Sequence, residues 1–241
     1  MSISTYESRS EYVEARGFDV INLRILSIAL LVYALGLTAL VLILSPEQKQ
    51  TVFSERGPFE MLSIPLWLML AAWCFDFAHE IRKPLVVCGL LALFAAAREA
   101  DWHKAFTADS IFKSNYYFDS PAPLTEKVPA GMVALFAFAL IFYWLYLGIR
   151  FLRSGNALQH QWMQTLVLGT VTVFASKILD RMISWAHDWF GLEITGLLGR
   201  FIGAYEEGFE MSLPIIFGIA LIQYRRAAMA TRSRRAAVLN A

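Results

Sequence analysis

Six apolar stretches, most of them close to the length of a membrane crossing, constrain this chain more than any other feature. They run at about residues 23–45, 57–78, 85–97, 130–151, 162–185 and 197–224, the third continuing into the charged stretch 98–104. A helix needs about 20 mainly apolar residues to cross the hydrocarbon core of a bilayer. Backbone groups find no water there, so only helices and closed barrels span it. Barrel strands alternate apolar and polar residues over about 10 positions, whereas these runs are continuous. The expected fold is therefore all-α: a polytopic membrane helix bundle of about six transmembrane helices. Composition agrees. With 57% hydrophobic and 17% charged residues and a mean hydropathy of +0.50, the chain departs from soluble domains of its length.

The chain divides into a cytoplasmic N-terminal tail (1–22), a six-helix transmembrane domain (23–224) with an outer loop at 105–129, and a basic cytoplasmic tail (225–241) expected to be disordered. A short amphipathic helix is expected around residues 12–18. The N-terminal residues are mixed in charge with no apolar centre, so the first span itself is expected to act as the uncleaved insertion signal. Pro46 ends that span, and Gly57-Pro58 opens the next, since proline's missing N–H is no loss in a first turn. The outer loop carries Phe106, Phe112, Tyr116, Tyr117 and Phe118 before Pro121 and Pro123. It is expected to lie on the membrane surface and cover what sits beneath. Cys74 and Cys88 both fall inside spans, as apolar filler rather than a disulfide. Gly199/Gly203 and Ala204/Gly208 are small-residue pairs that allow a close helix approach.

Lysine and arginine are more frequent in the loops that an N-in/C-in arrangement places inside, and most acids fall outside. Trp102, Trp185 and Trp189 then lie at the outer interface and Trp162 at the inner one. The expected location is a bacterial inner (cytoplasmic) membrane, crossed several times.

Charged clusters interrupt the apolar runs at one expected depth near the outer face. They are Glu60; Arg98, Glu99, Asp101, His103 and Lys104; Lys177, Asp180 and Arg181; and Glu206, Glu207 and Glu210. A charged side chain at mid-bilayer costs about 2.5–3.5 kcal/mol even on lenient scales. Such residues must therefore find partners or face a water-filled cavity, here one opening to the periplasm. Helical spacing stacks Glu206 with Glu210, Lys177 with Arg181, and Glu99 with His103. Glu206, Glu207, Glu210 and Asp180 are the candidate catalytic acids and bases. Arg98, Lys177 and Arg181 suit an anionic group. Glu60, Glu99, Asp101 and His103 are the candidate ligands of a divalent metal ion. Simpler roles compete: Glu60 suits a helix N-terminus, Arg98 and Lys104 can snorkel to the interface, and Asp180 with Lys177 and Arg181 can form a structural ion network. The three glutamates resist such an account best, because no helix end excuses them.

There is no G-x-S-x-G, H-E-x-x-H, Walker or C-x-x-C motif. Mixed acids and bases at one depth beneath an aromatic loop lead to the expectation of a hydrolase or transferase. It would use a metal or acid–base chemistry on a lipid headgroup or lipid-linked substrate. The alternatives are a proton or cation transporter, or a non-catalytic subunit or sensor docking a partner through the same charges. The expected partners are membrane lipid and another membrane protein or a second copy. A net charge of +1 gives no reason to invoke nucleic acid.

Overall fold

A computed structural model describes residues 21–54, 57–80, 84–153, 155 and 157–239. The expected N-terminal amphipathic helix lies outside them. The described residues are helical wherever they are regular, and the chain forms two compact units. One comprises the chain up to Gln50 and from Leu158 onward; the other is Thr51–Ala157.

The first unit contains α1 (Leu23–Ile43), most of the short α2 (Pro46–Val52), α8 (Gln161–Phe190) and α9 (Gly196–Leu239). Asn22 caps α1, its Oδ1 accepting from the Ile25 amide at 3.1 Å. Apart from Leu26, Leu37 and Val41, α1 leaves large apolar side chains such as Leu31, Val32 and Leu35 exposed, as suits a helix facing lipid.

Helices α8 and α9 run antiparallel, and three contacts set their register. Ser176 meets Glu210, Gly169 faces Phe217, and the rings of Trp162 and Tyr224 meet edge to face at 5.0 Å. Seven residues back along α8 correspond to seven forward along α9. That is the repeat that keeps two helices in continuous side-by-side contact. Gly169 is required: a Cβ there would stand 2.7 Å from the Phe217 ring. Gly191, in the left-handed conformation (φ 63°), ends α8 as its amide bonds His187 O and that of Leu192 bonds Ala186 O.

Helix α1 lies against α9, and their approach is closest at Gly208, where a Cβ would fall 2.3 Å from Leu37 Cδ1. Tyr33 OH donates to Gly208 O at 2.9 Å, and the hydroxyls of Thr38 and Tyr205 lie 2.6 Å apart. The Ala204/Gly208 pair thus serves packing as expected. Gly203 has no atom within 4 Å of its would-be Cβ.

The second unit contains α3 (Pro58–Glu80), α4 (Pro84–Glu99), two short helices α5 (Trp102–Ala105) and α6 (Ser114–Phe118), and α7 (Leu124–Leu152). Helix α4 packs along α3, where Gly89 makes room for the Phe75 ring, and also against α7, where Phe94 and Phe136 are 6.0 Å apart.

Among the described residues four helices are long and apolar enough to cross a membrane: α1, α3, α7 and α9. The other two expected spans differ for separate reasons. Helix α4 has 16 residues and a length of about 24 Å, against about 30 Å of hydrocarbon. Helix α8 has 30 residues but carries Lys177, Asp180, Arg181, His187 and Asp188 in its second half. Three boundaries also move. Helix α7 starts at Leu124, after Pro123, several residues before the expected 130. Helix α9 does not stop at 224 but runs to Leu239, so helix replaces the expected disorder over 225–239, and the last two residues of the expected tail lie outside the described residues. The alanines and arginines there are strong helix formers, with no glycine or proline among them. The third change is the break after Glu99, which bears on the site.

Candidate functional site

The candidate residues divide between the two units. In the second unit α4 stops at Glu99 because Asp101 adopts a left-handed conformation, φ 59°. This is a costly geometry that aspartate tolerates better than most residues. The expected Glu99–His103 stacking on one continuous helix is therefore overturned. Asp101 instead pairs with Lys104 at 2.9 Å, and the His103 carbonyl accepts from the Ile111 amide at 3.0 Å.

The Glu99 side chain, 8% exposed, receives Ser63 Oγ of α3 at 3.1 Å and the Arg98 guanidinium at 3.2 Å. Ser63 also bonds the Glu60 carbonyl, so this serine ties the first turn of α3 to the last turn of α4. Glu60 sits half-buried in that first turn, where the helix dipole favours a carboxylate. Among the described residues no three His, Cys, Asp or Glu side chains come close enough to hold a metal ion. Glu60, Glu99, Asp101 and His103 are thus not gathered into the expected ligand set.

In the first unit Glu210 is buried on α9 and accepts from Ser176 Oγ at 3.0 Å and from the Lys177 ammonium, both on α8. Lys177 remains 39% exposed, so one end of this network reaches the surroundings. Glu206 and Glu207 lie one turn before Glu210, both half-buried and both engaged in polar or electrostatic interactions. Asp180 and Arg181 form only a loose pair at 3.9 Å, largely exposed. Lys177 and Arg181, expected to act together, have different partners: Glu210 for one and Asp180 for the other.

Each unit therefore builds the same small device. A carboxylate near a helix end or interface takes one hydrogen bond from a serine of the neighbouring helix and one from a cation. The serines were not among the expected residues. A lone serine in an otherwise apolar helix was the available signal, and the sequence offers several. On α8 the buried hydroxyls continue beyond Ser176 through Thr172 to Thr165, on the face that carries Gly169. Thr172 is satisfied by the Leu168 carbonyl, while Thr165 Oγ1 has no partner among the described residues.

The segment between α4 and α7 is a compact cap. Glu126 accepts from the Ala108 amide at 3.0 Å and from Tyr116 OH at 2.8 Å. Lys127 donates to the carbonyls of Tyr117 and Ser120, and Tyr117 OH to that of Ile111. Burial, with the Glu126 carboxylate beside it, pushes the Tyr116 phenol up to about 12. Partial burial lowers the His103 imidazole, with the nearby Asp101 carboxylate acting in the opposite sense.

Among the described residues, fold and networks together define an all-helical chain with four helices long and apolar enough to cross a membrane and a cation-paired carboxylate, shielded from solvent for most of its side chain, in each unit. Compared with protein-family models, with curated proteins and with solved structures, it has no match.

Proposed function

We propose that the chain is a multi-pass enzyme of the bacterial inner membrane, crossing it six times with both termini inside. It hydrolyses or transfers a group at a lipid headgroup or lipid-linked substrate. The observation that carries this reading is Glu210, a buried carboxylate held between a serine hydroxyl and a lysine ammonium that is itself part-exposed. In that setting Glu210 serves as the general acid and base. Lys177 exchanges its carboxylate partner for the anionic group of an incoming substrate, a phosphate above all. Glu206 and Glu207 supply further proton acceptors one turn away. Acid–base chemistry is preferred to a metal because an acid and a cation are already in contact there. The six-crossing arrangement rests on the length of α8 and on the bias of Lys and Arg in the short loops.

The test is turnover by purified protein in liposomes of defined lipid, followed by mass spectrometry. Glu210→Gln is expected to lower the rate by about 10²–10⁴, the range for loss of a general acid–base. Intact folding is checked in parallel by thermal unfolding. Absence of turnover with every headgroup class tested rejects the enzyme.

A second reading has one observation of its own, the line of buried hydroxyls Ser176, Thr172 and Thr165 on α8. It makes Glu210 the entry of a proton path. Flux into liposomes that disappears in Glu210→Gln, without lipid turnover, selects it. A non-catalytic subunit is selected instead by a stoichiometric membrane-protein partner that Glu210→Ala releases.

A further inference from the structure

The segment joining α4 to α7 bonds most of its polar groups internally and leaves several large apolar side chains exposed. Its charges are largely paired at home: Lys104 with Asp101 at 2.9 Å, Lys113 with Asp109 at 3.0 Å, and Lys127 on two carbonyls of the segment itself. Tyr116 is buried, and Glu126 binds it together with the Ala108 amide. Phe112 sits between the His103 ring at 6.2 Å and Phe138 of α7 at 6.1 Å, pinning the cap to that helix. Yet Trp102 is 63% exposed, Phe106 80%, Phe118 84% and Leu124 76%. A cap this well ordered, with a ready place for Tyr116, leaves four large apolar side chains uncovered.

One of the four begins a helix suited to cross a membrane. Leu124 is the first residue of α7, a helix of membrane-crossing length and composition, and Val128, Met132 and Leu135 carry the exposed apolar surface onward along it. We infer that Trp102, Phe106, Phe118 and Leu124 seat the cap in the headgroup region of the adjoining leaflet, so that the segment is a membrane-surface anchor. The partner is the lipid surface itself. Aromatic side chains favour that boundary because their apolar bodies enter the acyl edge while polar backbone and neighbours stay wet. The exposed aromatic residues stand beside the start of a helix of membrane-crossing length, which favours the lipid surface over a protein partner. The inference is independent of any enzymatic reading.

The experiment places a fluorescent probe at Phe106→Cys and at Phe118→Cys, with Lys113→Cys as the control, in full-length protein lacking Cys74 and Cys88. The protein is reconstituted in phosphatidylcholine/phosphatidylglycerol vesicles. At positions 106 and 118, nitroxide lipids labelled near the headgroup are expected to quench at least several-fold more strongly than lipids labelled deep in the chain. Iodide should quench little there and strongly at 113. Equal iodide quenching at all three positions, with no lipid quenching, overturns the anchor. So does protection at 106 and 118 that persists in detergent and fades on dilution, since a second copy then covers the surface. Thermal unfolding matching that of the parent protein confirms that these exposed positions leave the fold intact.

Discussion

Ser176 of α8 donates a 3.0 Å hydrogen bond to the buried carboxylate of Glu210 on α9, and the adjacent Lys177 binds the same oxygen. Two successive residues of one helix thus address one carboxylate oxygen of another, a geometry that depends on the seven-residue register between them. Any loss at this point is expected to be felt first by the α8/α9 pair. Breaking a fully buried ion pair costs about 3–5 kcal/mol. Lys177 keeps access to the surroundings, so Glu210→Ala should cost less, about 1–2 kcal/mol, and Ser176→Ala about 1 kcal/mol. Lys177→Met combined with Glu210→Gln should recover part of the loss. Thermal unfolding in detergent measures all three, and an unchanged midpoint in Glu210→Ala would deny the pair any structural weight.

The contact between α1 and α9 at Gly208 predicts a steric effect. Gly208→Ala drives a methyl into the buried Leu37 side chain and should destabilise by about 1–3 kcal/mol, the usual range for overpacking. Leu37→Ala in the same chain should relieve part of it. Gly203→Ala, with open space around its Cβ, should be neutral or slightly stabilising. Equal behaviour of the two alanines would contradict this packing.

Acid should loosen the cap before it affects the helices. The folded state lowers the His103 pKa, chiefly through desolvation. It therefore prefers the neutral ring, and the associated stability is fully present above the ordinary value of about 6.5. It is lost as pH falls through that value toward the lower folded one. The Ile111 amide, bonded to His103 O, should exchange faster at pH 5 than at pH 7.5 after correction for intrinsic rates. His103→Phe should abolish the difference. The Asp109 carboxyl is also lowered, by the Ser110 amide and by Lys113, but its contribution is lost only in the carboxylate range and does not obscure the comparison.

At the alkaline end Tyr116 is a group to follow in the cap. Its folded pKa of about 12 exceeds the ordinary 10.0, so the folded state holds the phenolic proton. That contribution is complete below pH 10 and declines as pH rises from there toward 12. Tyr116→Phe should weaken the cap at neutral pH, because Glu126 loses a donor. It should also flatten the alkaline decline seen by exchange at Ala108. A decline as steep in the variant would assign it to another group.

The proposed six-crossing arrangement makes a topological prediction. With Cys74 and Cys88 replaced, Ser114→Cys and Glu193→Cys should react with an impermeant thiol reagent on intact spheroplasts. Gly155→Cys and Ser233→Cys should react only after permeabilisation. Equal labelling of Gly155→Cys and Glu193→Cys on intact spheroplasts would mean that α8 does not cross.

The helices were largely legible from the chain. Runs such as 23–45 and 130–151 are apolar over enough consecutive positions that local composition settles their conformation in a medium without water. The helix-opening signal at Pro58 also read correctly. Legibility ended where a single backbone angle mattered. Nothing in Arg98-Glu99-Ala100-Asp101 announces that Asp101 turns left-handed, yet this one residue ends α4 and separates Glu99 from His103. The helical reach of 225–239 was hidden for another reason: charge suggested a solvated tail, while its alanines sustain helix regardless.

Composition alone determined that this chain is built of helices and that several of them suit lipid, because hydrophobic burial is non-directional and adds up along any sufficiently long apolar run. The choice of partners belonged to the tertiary structure. Ser63 meets Glu99 and Ser176 meets Glu210 across 36 and 34 residues of sequence. Hydrogen bonds act over about 3 Å and along a direction, so only the approach of one helix to another, fixed by glycines such as Gly169 and Gly89, could decide which serine reached which carboxylate.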